Sequence, residues 1–121
     1  MPGIIYKICP HALWREAQHT GEFGGAPLDR QDGFIHFSTA EQVGETAAKH
    51  FAGAQDLVLI AVDGGALEAV LKWEPSRGGQ LFPHLYRSLP LGAVLWVKPL
   101  PLDAGGRHVI PDLSAGSDKS A

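Results

Sequence analysis

Leu57-Val58-Leu59-Ile60-Ala61-Val62 is an unbroken apolar run rich in branched side chains. A strand covered on one face alternates apolar with polar residues; a run without alternation reads as a central strand covered on both faces. Asp63-Gly64-Gly65 turns the chain after it. On the N-terminal side, residues 3–9 alternate Ile4, Tyr6 and Ile8 against Ile5, Lys7 and Cys9, which predicts a second strand with both faces largely covered. Residues 10–20 predict a helix with Pro10 at its first turn, Leu13, Trp14 and Ala17 as its apolar stripe, and Gly21 beyond its end. Residues 21–33 are rich in glycine, contain Pro27 and show no period, so they read as a long loop. A short strand over 33–37 leads to a helix over 40–52, with Ala40, Val43, Ala47, Ala48 and Phe51 on one face. Two registers supply its capping box, Ser38 with Glu41 and Thr39 with Gln42. On the C-terminal side, residues 67–73, 81–86 and 93–97 read as strands, with Trp73 as a core residue. Two helices in the N-terminal half followed by several strands predict an α+β fold, with residues 1–113 as one domain and 114–121 as a disordered tail.

The totals restrict the function classes. A chain of 121 residues with 45% hydrophobic and 19% charged residues suits one globular core. No apolar run approaches the ~18 residues that suggest a membrane span. Met1-Pro2-Gly3-Ile4-Ile5 has neither a basic region nor a small-residue cleavage pattern, so the expected location is cytoplasmic. A formal charge of −3 argues against long nucleic acid as a partner. Cys9 is the single cysteine, which excludes an internal disulfide and a thiolate-rich zinc site; it reads as a small buried apolar group.

Two segments concentrate the chemistry, and together they predict one polar, histidine-containing site. In Asp32-Gly33-Phe34-Ile35-His36-Phe37-Ser38-Thr39, strand alternation puts Phe34, His36 and Ser38 on one face. His36 is then expected to open onto the start of the following helix, where unpaired N–H groups and the dipole favour a phosphate. The structural alternative is a satisfied core histidine, with Ser38 or Thr39 only capping the helix and Glu41 already complementing the dipole. In Trp73-Glu74-Pro75-Ser76-Arg77-Gly78-Gly79-Gln80-Leu81-Phe82-Pro83-His84-Leu85-Tyr86, Arg77 offers paired donors to a phosphate, and Gly78-Gly79 lets the backbone approach a ligand. Glu74 reads as a general base or ribose-orienting group, and His84 and Tyr86 share a strand face. The plainer reading makes Glu74 and Arg77 a surface ion pair around an ordinary turn and Tyr86 a half-buried packing residue. His11, His36, His50, His84 and Glu74 are the conceivable metal ligands, but no pair has HxxxH spacing and no metal is expected. The phosphate-cradling GxGxxG and GxxxxGK[ST] patterns and the GxSxG elbow are absent.

Ile5-Tyr6-Lys7-Ile8, the block from Asp32 to Thr39 with Gln42-Val43, Lys72-Trp73-Glu74, and Phe82-Pro83-His84-Leu85-Tyr86 resemble, in that order, the small bacterial family labelled domain of unknown function 952. That family is similar to a compact, two-sheet ADP-ribosyltransferase-like fold, whose enzymes bind NAD between two small sheets. The resemblance implies binding of NAD or an ADP-ribose-containing ligand, with transfer or hydrolysis of the ADP-ribosyl group. It places Tyr6 and Lys7 beside the nicotinamide ribose, where such transferases usually carry Arg or His. In this reading His36, Glu74 and His84 are the expected catalytic groups, and Ser38, Thr39, Arg77, Gly78, Gly79 and Tyr86, nominated from the two polar segments, the expected ligand contacts. A non-catalytic module binding a small metabolite or a protein through the same pocket is the alternative, and a metal-dependent hydrolase is a third reading.

Overall fold

Strand β1 (Ile4–Pro10) pairs antiparallel with β4 (Leu57–Asp63) in a register that matches Ile4 with Asp63 and Pro10 with Leu57. β8 (Val94–Pro99) adds to the other side of β4, giving the order β1-β4-β8 with the apolar run in the centre. Both faces of β4 are covered, as its lack of alternation predicts. Val58, Ile60 and Val62 join Ile5 and Cys9 in one core cluster, with Trp14, Phe37 and Leu85. Leu57, Leu59 and Ala61 join Tyr6 and Ile8 in a second cluster, with Val43, Ala47 and Leu100. The computed structural model describes residues 3–113, and the expected tail at 114–121 lies outside the described residues.

Helix α1 (His11–Thr20) follows Pro10 directly and ends at Gly21, whose φ of 94° lets its N–H bond the carbonyl of Ala17. The long loop expected over 21–33 is instead structured. β2 (Glu22–Phe23) pairs with β7 (Leu89–Pro90), and Pro27–Asp32 forms helix α2. Pro27 stands near the first turn of α2, where its missing N–H costs nothing, and Gly33 closes the helix at φ 87°. The residues that read as breakers are its boundaries, and six residues are too few to show a helical period.

β3 (Ile35–His36), β5 (Leu71–Pro75) and β6 (Leu81–Leu85) form a second sheet of order β3-β6-β5. It meets the first sheet through paired backbone hydrogen bonds between Tyr6 and Ser38, at 2.8 and 2.9 Å. Helix α3 (Val43–His50) is shorter than the expected 40–52. Gln42 turns its side chain back to accept the Thr39 N–H at 3.0 Å, and the Thr39 carbonyl accepts from both the Gln42 N–H at 3.1 Å and the Val43 N–H at 3.0 Å, a tight turn that leads into the helix. Of the two capping registers, the structure forms this return half of the Thr39–Gln42 one. The strand expected over 67–73 begins only at Leu71, after a 3-10 turn at Gly65–Leu67. Trp73, expected in the core, is 38% exposed, on β5 at the edge of its sheet. No helix among the described residues is long and apolar enough to cross a membrane.

Candidate functional site

The second sheet carries the site, because pairing and alternation deliver the relevant side chains to one face. His36 on β3 stands directly opposite His84 on β6, and the two imidazole centroids lie 5.4 Å apart. β5 continues the same face with Lys72 and Glu74. Glu74 Oε1 accepts from His84 Nδ1 at 2.7 Å and from the Tyr86 hydroxyl at 2.9 Å. The hydrogen bonds from His84 and then Tyr86 hold the Glu74 carboxyl below the usual glutamate range. The same contact raises the Tyr86 phenol. Lys72 Nζ lies 5.0 Å over the Tyr86 ring. Phe34 fills the space between these groups, stacked on His84 at 4.1 Å and tilted against His36 and Tyr86 at 4.6 and 5.0 Å.

His36 does not open onto the start of α3 as expected. Its ring lies between two carboxylates of α2, with Nδ1 2.6 Å from Asp29 Oδ1 and Nε2 2.9 Å from Asp32 Oδ2. Two anions hold the imidazole toward α2, while ahead of α3 the Thr39, Gln42 and Val43 N–H groups are bonded within the turn. Asp29 also receives Lys7 Nζ at 2.9 Å on Oδ1 and 2.8 Å on Oδ2, the His36 N–H at 3.1 Å and the Ala26 N–H at 2.8 Å. Burial pushes the Asp29 carboxyl up, but the His36 hydrogen bond and the Lys7 charge outweigh it and hold the group at about 2. Burial acts on Lys7 in the opposite sense for a base and lowers its ammonium, against the pull of Asp29.

The structure thus brings His36, His84, Glu74 and Tyr86 together and joins Lys7 to them through Asp29. The other expected contacts lie apart. Tyr6 is buried in the second core cluster against Trp96, and burial followed by the Glu41 charge raises its phenol. Ser38 Oγ bonds Thr46 Oγ1 at 2.9 Å, and the Thr39 N–H is taken by Gln42. Gly78 and Gly79 occupy the connector after β5 at φ 62° and 81°; the Arg77 side chain lies outside the described residues. His11 opens α1 and His50 closes α3. Among the described residues no group of three or more His, Cys, Asp and Glu side chains is arranged to hold a metal ion. Sequence reasoning missed Asp29 and gave Phe34 no role. The available signal was Lys7: a lysine in a strand covered on both faces needs a buried carboxylate partner. Two surface depressions, of about 660 and 380 Å³, lie elsewhere, one lined by Arg87 and the other by Arg30.

The family described as "Protein of unknown function (DUF952)" matches residues 8–97. The chain belongs to the DUF952 family. Its structure is similar to the X-ray crystal structure of protein CC0527 from Caulobacter crescentus, at 50% identity and a TM-score of 0.84, covering 88% of this chain and 93% of that one. The solution NMR structure of CC0527 is also similar, at 51% identity and a TM-score of 0.78, covering 86% and 90% of the respective chains. No curated protein matches. The blocks from Asp32 to Tyr86 that carried the resemblance lie within the matched residues, and in this member they build the paired histidines; Ile5-Tyr6-Lys7 lies before the match.

Proposed function

We propose that the histidine face of this DUF952 domain binds NAD or another ADP-ribose-containing ligand and breaks the bond between ribose and nicotinamide. The observation that carries the reading is Glu74, an ionised carboxylate fixed by His84 and Tyr86 beside aromatic rings and a second imidazole. When nicotinamide leaves with the bonding electron pair, positive charge develops on the ribose carbon, and a prepositioned anion stabilises that charge. His36 or His84 bonds the ribose hydroxyls, and Phe34 and Tyr86 offer apolar ring surface to the nicotinamide. The phosphates extend toward the glycine-rich connector after β5. Water or a nucleophilic acceptor then attacks the ribose carbon and gives up its proton to the carboxylate–imidazole pair. Two small sheets meeting at the Tyr6–Ser38 bridge support an ADP-ribosyltransferase-like reading of the architecture.

Titration calorimetry with NAD and ADP-ribose, followed by assay of free nicotinamide, tests this. Binding heat and nicotinamide release are expected, and Glu74→Gln is expected to lower release by about 10²–10³-fold, the scale of losing one prepositioned electrostatic group. No heat at millimolar ligand, with a folded protein, sinks the reading. Heat without nicotinamide favours a non-catalytic binding module. That second reading has its own support: Lys7, Ser38 and Thr39 spend their polar groups inside the protein.

A further inference from the structure

A buried lysine and aspartate are costly to keep, and a well-packed apolar pair often serves stability as well. The Lys7–Asp29 pair therefore invites an account beyond stability. Asp29 Oδ1 contacts His36 twice, through the backbone N–H at 3.1 Å and through Nδ1 at 2.6 Å. Contacts from two points of one residue fix the orientation of its ring. The backbone is shaped around this carboxylate: Gly25 has φ 106°, and a Cβ there would lie 2.8 Å from the Asp29 Cβ.

We propose that Asp29, anchored by Lys7, is the positioning residue of His36, holding Nδ1 as the inner, protonated nitrogen and presenting Nε2 as the working one. A carboxylate only accepts, so Nδ1 donates to Asp29. The outer nitrogen meets Asp32, which is 37% exposed and lies at the end of α2. The imidazolium satisfies both carboxylates, because it donates from both nitrogens. The neutral ring keeps the Asp29 contact and turns the lone pair of Nε2 outward. A ligand hydroxyl that donates to Nε2 therefore takes the place of Asp32, and Asp29 keeps the ring aligned through the exchange. The role of Nε2 toward a ribose hydroxyl rests on the proposed function; the protonation pattern of the ring does not.

Proton–nitrogen correlation spectra of the histidine rings in the full chain test the proposal without any ligand. A strongly downfield, slowly exchanging Nδ1–H is expected for His36 in the wild type. The double variant Lys7→Met with Asp29→Leu replaces the ion pair by apolar side chains. If folded, it is expected to lose that signal and to release nicotinamide at least about 10²-fold more slowly, as when a triad histidine loses its orienting aspartate. A folded double variant that keeps the Nδ1–H signal overturns the proposal, and so does a wild-type ring protonated at Nε2 alone. Asp32→Asn, at an exposed position, decides the matter if the double variant does not fold. The Nδ1–H signal must survive there, and its loss would transfer the positioning role to Asp32. A wild type that releases no nicotinamide ends the NAD reading and leaves the spectral result standing.

Discussion

Asp29 concentrates more of the electrostatics than any residue singled out by motif. Its carboxyl sits at about 2 in the folded protein, against about 3.9 for an ordinary aspartate. A group whose pKa is depressed by folding binds its proton more readily in the unfolded chain. Its stabilisation is therefore fully present above about pH 4 and is lost as the pH falls toward about 2. At 2% exposure, the shift corresponds to a contribution on the order of 2 kcal/mol. Urea midpoints are expected to fall across that acid window in the wild type, and to fall less steeply in Asp29→Asn. Equal slopes would mean that the carboxylate is not held as the geometry indicates. Glu74 is depressed by its partners and acts in the same direction. In the sequence Lys7 signals only the need for a buried carboxylate; that Asp29 supplies it beside His36 was not visible, because the two are 22 residues apart and Asp29 belongs to no spaced motif.

At the scale of elements, α2 is the instructive case. It joins no apolar stripe to the core in the manner of α1 and α3; it is held by Asp29 and by its two ends. Gly33 has a φ of 87° with open space around its Cα, so Gly33→Ala meets no clash and pays only the left-handed backbone strain. A loss of about 1–2 kcal/mol is expected by chemical denaturation, and an unchanged midpoint would show that α2 ends in another conformation. The same comparison explains what was legible. β4, β1 and α1 announce themselves through apolar runs and caps longer than any local accident. β3, two residues long, lies inside the strand expected over 33–37, but β2 and β7 have two residues each and α2 has six, and elements so short are defined by their partners. His84 and Tyr86 were readable as sharing a face because two-residue alternation needs only a strand. The facing of His36 toward α2 required knowing that α2 exists.

For the molecule as a whole, the central sheet divides the apolar interior into two clusters that share strands β1 and β4. Cys9 belongs to the first, fully buried, and burial pushes its thiol up to about 11. Labelling by an aqueous thiol reagent is expected to follow opening of the central sheet and to accelerate in proportion to denaturant-induced unfolding. Rapid labelling under native conditions would indicate that the β1 edge opens locally. The α+β class and the sites of the large strands followed from apolar patterning. The joining of the two sheets at Tyr6 and Ser38 did not, since a single backbone bridge leaves no pattern in side chains. That joint bears on the paired imidazoles as well. His36 faces His84 because Ile35 matches Leu85 and the count of residues on both strands is kept. A one-residue slip of β3 against β6 would turn the imidazole toward the apolar side and carry Ile35 outward. The face is consequently sensitive to chain length in a way it is not to side-chain size: an insertion that forces such a slip is expected to abolish the proposed NAD binding in titration calorimetry, while trimming Tyr86 or Phe34 is expected to weaken it by degrees.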